Sequence, residues 1–351
     1  VTIIGIILST ALICAVAGVF SSFQKTIVKS YEKEPGNFHV NYKNVPEHEI
    51  KYIINNREVE KFFYTQDVGY SKLSGSKNEN KPYLHLMEYD EVALREGGVH
   101  LISGRLPKNS NELLISKHIE TNGGVKYNVG DKIKIKVGKR MSNGEELDES
   151  NPFNYEVYNE EKQEYESNKN TETIENTVQR EFTIVGVIQR LSYQVETYNS
   201  PGYTVITLMD NINERSNVYV KYKNPRKAYN LIKDVQKVDK MDEIYRGKYN
   251  LLVNTELLMF SGVARSEGTM NVVYGLIAIV IGIIIVASVF VIRNSFAISV
   301  SERMKQIGMI SSVGATKKQI KKSVLYEGFI LGIIGIPLGI LSGVFATYIL
   351  I

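Results

Sequence analysis

Taken as an average, 351 residues with 43% hydrophobic and 23% charged side chains describe a soluble globular protein. Their distribution excludes it: apolar residues gather at the two ends while the middle holds nearly all the acids and most of the tyrosines, so one chain faces two solvents. A single cysteine, Cys14, excludes an internal disulfide framework, and the net charge of +4 means little before the positive residues are located; no nucleic-acid partner is expected.

From Val1 to Gln24 there is no charged residue. At about 1.5 Å per residue such a run crosses a hydrocarbon layer of roughly 30 Å, so residues 1–24 are expected to form a transmembrane helix. Ala15-Val16-Ala17 resembles the cleavage site of a secretory signal peptide, the rival reading. Against it, no basic segment precedes the run and the chain opens on Val1, so a span with residues missing upstream is the expectation.

Residues 25–270 are enough for one or two compact lobes. Lys132 to Val137, Phe182 to Ile188, Tyr203 to Leu208 and Asn217 to Tyr222 alternate or are rich in β-branched residues, and read as strands. Glu47 to Asn55 reads as a helix, and so does Pro225 to Val238, with Asn224 placed to cap it and Pro225 suited to its first position. The fold class expected is therefore an α+β membrane protein, with transmembrane α-helices and a large extracytoplasmic mixed α/β domain. Residues 141–179 differ in kind, with eleven acids against two lysines and almost no aliphatic residues, and read as a solvated, disordered-looking insertion.

Catalytic signatures are missing from the sequence. No GxxxxGK[ST] phosphate loop occurs, and Gly130-Asp131-Lys132 lacks its spacing and its hydroxyl. The histidines, His39, His48, His85, His100 and His118, show no metal-ligand spacing, and there is no GxSxG elbow. Neither enzyme activity nor a cofactor or metal is expected.

Two further charge-free runs, Val272 to Ile292 and Gly328 to Ile351, place transmembrane helices at 271–293 and 323–351. Between them Arg293, Arg303, Lys305, Lys317, Lys318, Lys321 and Lys322 face one acid, Glu302. The connection 294–322 is accordingly cytoplasmic, which puts residues 25–270 outside the cell membrane and the N-terminus inside. Met304, Ile307, Ile310 and Val313 recur every three residues, giving a short helix an apolar strip, while Gly308 and Gly314 limit its length and permit a sharp turn. Such a helix suits a protein partner or anionic membrane lipid. In the last run Gly328, Gly332, Gly335, Gly339 and Gly343 recur at about one helical turn and mark a face for close helix packing, and Pro337 is expected to bend the helix.

The connection resembles that of FtsX-like permeases, whose second span is followed by a pattern matched here by Ser301, Glu302, Arg303, Ile307, Gly308, Gly314 and Ala315; Gln306 stands where many members carry glutamate. Ser103 to Ser116, Val129 to Ile135 and Phe182 to Ile188 resemble the MacB-like periplasmic core domain. The resemblance implies a porter-like lobe at about 37–87 and 203–258 enclosing a Sabre-like lobe at about 88–202. It further implies a fourth span, and a homodimeric or internally duplicated full-length permease. It also implies a coupling helix that docks on a separate ABC ATPase subunit, with Glu302, Arg303, Ile307, Gly308, Gly314 and Ala315 in that role. The function expected is mechanotransmission serving export of or resistance to peptides or drugs, or lipoprotein handling. The alternative is a membrane-tethered receptor or sensor without an ATPase partner.

Overall fold

The computed structural model describes residues 2–142, 144–153, 155–159, 163–168, 172–302 and 304–350. In chain order the elements begin α1 (Thr2–Lys33), β1 (Val40–Pro46), α2 (Glu47–Ile54), β2 (Val59–Lys72), β3 (Tyr83–Tyr89), α3 (Glu91–Glu96), β4 (Leu101–Gly104), β5 (Glu112–Ser116) and α4 (His118–Thr121). They continue β6 (Lys132–Ser142), β7 (Glu145–Leu147), β8 (Tyr155–Asn159), β9 (Glu164–Asn168), β10 (Thr173–Ile188), β11 (Gly202–Leu208), β12 (Arg215–Tyr222), α5 (Ala228–Gln236), β13 (Asn250–Val253) and α6 (Thr255–Phe260). The last three are α7 (Glu267–Glu302), α8 (Met304–Ser312) and α9 (Lys317–Leu350). Val28–Arg265 form one compact unit; Val1–Ile27 with Ser266–Ile351 form another.

In the first of these units eleven of the described strands build one sheet in the order β13-β1-β12-β2-β3-β11-β5-β10-β6-β7, with β4 beside β10, and β8 pairs with β9 in a separate two-stranded sheet. Long β2 serves both halves. Its start pairs with β12, whereas Tyr70 near its end pairs with Gly138 of β6, so that β2-β3-β11-β5-β10-β6 returns to β2 and closes a barrel. Closure depends on two glycines. Gly69 stands at a bulge with φ +132°, where a Cβ would overlap the Gly138 carbonyl, and a Cβ on Gly138 would overlap the carbonyl of Glu175. Alternate residues of the ring, including Leu84, Leu86, Leu113, Ile115, Ile184 and Val205, fill its interior.

The open half, β13-β1-β12, packs Tyr42, Val218 and Val220 against Ile53, Ile232 and Leu258 of its helices. Asn224 caps the segment after β12, its Oδ1 accepting from the Arg226 N–H at 3.0 Å. That segment opens as a 3₁₀ turn over Pro225–Lys227 before α5, instead of one helix to Val238.

Two expectations differ from what is found in this unit. Strands β3 and β11, which the family resemblance implies belong to a porter-like lobe, pair in parallel within the barrel ring, and β11 also pairs with β5, so the two stretches share one sheet. Within the acidic stretch, Met141 and Ser142 complete β6, and Thr173, Ile174, Glu175, Val178 and Gln179 pair with β6. A strand with a solvated face requires main-chain partners more than an apolar side-chain set, so composition misjudged these residues. Positions 143, 154, 160–162 and 169–171 of that stretch lie outside the described residues.

Among the described residues three helices are long and apolar enough to cross a membrane: Ile3–Lys33, Gly268–Ser301 and Lys317–Ile349. Helix α7 does not stop at Arg293 but runs on to Glu302, because a charge marks the edge of the hydrocarbon and not the end of a hydrogen-bonded helix. Three of the glycines in α9 face α1. A Cβ on Gly335 would lie 2.9 Å from Ile6 Cγ2, one on Gly339 2.8 Å from the Ile7 carbonyl oxygen, and one on Gly343 2.7 Å from that of Ala11. Gly328 instead faces Phe296 of α7 at 3.2 Å, and Gly332 meets only Ile336 of its own helix at 4.0 Å. Without a hydrophobic drive between helices in lipid, such close approach supplies the packing.

Gly339→Leu is therefore expected to cost about 1–3 kcal/mol through overpacking, read as a lower thermal midpoint of the purified protein in detergent, while Gly332→Leu leaves the midpoint nearly unchanged. A second expectation concerns buried His39, whose Nδ1 accepts from the Tyr222 N–H at 3.1 Å. Burial, then the Lys221 charge, lowers its pKa from 6.5 to about 4. The folded state favours the neutral ring, so stability is full above pH 6.5 and falls as pH drops from 6.5 toward 4, by roughly 3 kcal/mol. A pH series of unfolding midpoints should show that loss in the parent and a flatter profile in His39→Gln.

Candidate functional site

The connection between the second and third membrane helices is a built corner. Helix α8 ends at Ser312, and the Ala315 N–H donates to the Ile310 carbonyl at 3.3 Å while the Gly314 N–H donates to that of Ser311 at 3.1 Å. These crossed bonds form a Schellman stop, and Gly314 supplies its positive φ of +100°. Thr316 then opens α9. Its hydroxyl accepts from the Gln319 N–H at 3.4 Å, and Gln319 Oε1 accepts from the Thr316 N–H and hydroxyl, both at 2.9 Å. This reciprocal pairing is a capping box.

Against the corner lies a cleft of about 360 Å³ bounded by the end of α7, by α8 and by the start of α9. Phe296, Ile307, Ile310, Ala315, Ile320 and Val324 give it apolar walls, with Gln306 and Glu327 at the polar positions. Ile310 and Ala315, the two residues of the stop that commonly touch, share this wall. On α8 Met304, Met309 and Ile310 are exposed, and Val313, just past its end, is 89% exposed.

Of the residues singled out in the sequence, the structure brings Ile307 and Ala315 together in the cleft wall and puts Gly314 at the turn. Gly308 lies inside α8 and does not limit it; a Cβ there would meet nothing within 4 Å among the described residues. Glu302 is the last residue of α7, and Arg303 lies outside the described residues. The sequence reading missed Thr316 and Gln319, although Thr-x-x-Gln before an apolar helix is the signature of the box. Among the described residues no three His, Cys, Asp or Glu side chains gather to hold a metal ion.

Comparison with known proteins adds the relatives. Residues 1–238 match the family described as MacB-like periplasmic core domain, and residues 273–351 that described as FtsX-like permease C-terminal. The chain is 30% identical over 163 residues to the cell division protein FtsX of Bacillus subtilis (strain 168), covering 46% of this chain and 50% of that protein. It is 22% identical over 285 residues to the ABC transporter permease YtrF of the same organism, covering 79% and 62%. The chain thus spans from half to under two thirds of these relatives. Among solved structures, the extracellular domain of the noncanonic ABC-type transporter YknZ from Gram-positive bacteria aligns with a TM-score of 0.33 and 10% identity, over 62% of this chain and 98% of that one. The periplasmic region of MacB from Actinobacillus actinomycetemcomitans aligns with a TM-score of 0.31 and 9% identity, over 65% and 92%. With one family covering more than half of the sequence and the second its membrane helices, the chain belongs to the FtsX-like/MacB-like family of ABC transporter permeases, membrane proteins with a mixed α/β extracellular domain.

Proposed function

We propose that this permease couples ATP hydrolysis by a separate ABC ATPase subunit to motion of its outer domain, with the corner of α7, α8 and α9 as the cytoplasmic lever and residues 25–270 outside the cell membrane. The observation that carries this reading is the exposure of Met304 and Met309 on α8 and of Val313 just past its end, in a segment whose far end is pinned by the Gly314 stop. Apolar side chains grouped on water-facing protein are the mark of an interaction surface. Seven basic residues and one acid in residues 293–322 support a cytoplasmic setting.

Coupling by a lever asks little of the spans themselves. Their apolar runs carry no charged residue to mark an ion path, so substrate need not pass between them. Export of or resistance to peptides or drugs, and lipoprotein handling, fall within this reading, as does a dimeric or internally duplicated full-length assembly.

Gly308→Trp tests the docking surface, because a Cβ at this position meets nothing within 4 Å among the described residues. The variant is expected to fold with an unchanged thermal midpoint and to stimulate the ATPase subunit at least tenfold less; undiminished stimulation defeats the proposal. Gly314→Val is expected to disrupt the stop at a cost of about 1–2 kcal/mol. Its readout is faster hydrogen exchange at amides 314 and 315, together with lost stimulation. An impermeant thiol reagent should label Val313→Cys only after cells are opened, and labelling in intact cells would reverse the orientation.

A further inference from the structure

Beside the barrel, the sheet face of the outer domain carries a small polar pocket of about 60 Å³. Asn41 of β1 lies opposite Tyr219 of β12 on one side and Leu252 of β13 on the other. Directly opposed residues share a face, and Asn41, Tyr219 and Leu252 all line the pocket. Asp67 of β2, His85 of β3, the turn Asp148-Glu149 and Gln194 of the loop after β10 complete its polar wall.

The hydrogen bonding of this wall is lopsided. Asn41 is 1% exposed, and its Oδ1 has no hydrogen-bond partner among the described residues; neither has Gln194 Oε1. Several donors of the wall are turned to partners of their own: Lys43 Nζ sits 2.8 Å from Glu149, Asn217 Nδ2 3.3 Å from Thr65 and Gln194 Nε2 3.1 Å from Glu256, while His85 Nε2 lies 3.0 Å from Asp67 without a hydrogen bond to it. Asp148 accepts from Ser150 and has no ion-pair partner among the described residues. A buried carbonyl left unpaired is costly, so the wall calls for a compact group that brings several donors and positive charge.

We propose that the pocket binds a primary ammonium group, of a peptide N-terminus or a lysine-like side chain, through Asn41 Oδ1, Gln194 Oε1 and the carboxylates of Asp67, Asp148 and Glu149. An ammonium carries three donors in a compact volume, whereas a guanidinium is a broad planar fork that demands more room. Among the described residues the carboxylates do not gather as a metal site requires. The assignment stands whether or not α8 docks an ATPase subunit.

The test is calorimetric titration of the whole purified protein in detergent with four probes: glycinamide, N-acetyl-lysine amide, neutral N-acetylglycinamide and calcium chloride. At least one ammonium probe is expected to bind saturably while the neutral amide does not, and the tighter of the two ammonium probes identifies the source. Asn41→Leu should weaken that binding tenfold or more. Gln194→Met, on the loop, should weaken it as well and serves if Asn41→Leu does not fold. Binding equal to that of the neutral amide, binding untouched in the folded variants, no saturable ammonium binding, or binding of calcium alone would each overturn the proposal.

Discussion

Between α8 and α9 the chain must end one helix and begin another across four residues, Val313 to Thr316, without abandoning the main-chain groups that every helix end leaves unpaired. Gly314 makes this feasible. With its positive φ it turns the Gly314 and Ala315 amides back on the carbonyls of α8, and Thr316 and Gln319 then satisfy the first turn of α9. Because both ends are capped by the chain itself, α8 is held at a set angle to α9. Its Ile307 is turned to the cleft, and Met309 and Val313 are turned away.

The same economy, a missing side chain where two main chains must meet, recurs in settings that share no solvent. In the outer domain Gly69 and Gly138 let β2 touch β6 and close the barrel. Among the membrane helices Gly339 and Gly343 bring α9 against the carbonyls of Ile7 and Ala11. In water the closed ring is then filled by apolar side chains such as Leu86, Leu113 and Val205, and burial stabilises it. In lipid no such drive exists, and contact between backbones has to provide the packing through dispersion and an occasional hydroxyl, as with Thr347 Oγ1 at 3.5 Å from the Ala15 carbonyl.

How much of this the sequence disclosed depended on the range of the cause. The three membrane runs were legible because length and absence of charge are local properties, and so were the cores of β6, β10, β11 and β12. Barrel closure was not, since it rests on a single register, Tyr70 opposite Gly138, between positions far apart in the chain. Composition misjudged Thr173 to Gln179, whose order comes from the ladder with β6 and not from their own side chains. At the candidate site, Gly314 was read correctly as a turn and Gly308 was not, because a glycine with helical φ and one with positive φ look alike in sequence. The acceptors of the polar pocket, Asn41, Asp67 and Gln194, carry no spacing at all; only the sheet assembles them.

The residues that carry the family resemblance divide by physical task. Gly314 and Ala315 belong to the stop: one needs a backbone conformation that other residues resist, and the other lies against Ile310 in the cleft wall. Gly308 answers to neither demand, for its conformation is helical and its missing side chain leaves open space around it. Glycine inside a short helix costs roughly 0.5–1 kcal/mol relative to alanine, and among the described residues no neighbour within 4 Å demands it there. On the coupling proposed above, α8 would be open to close approach by a partner at Gly308, and Met304 and Met309 on the same short helix, with Val313 just past its end, would be covered by such an approach.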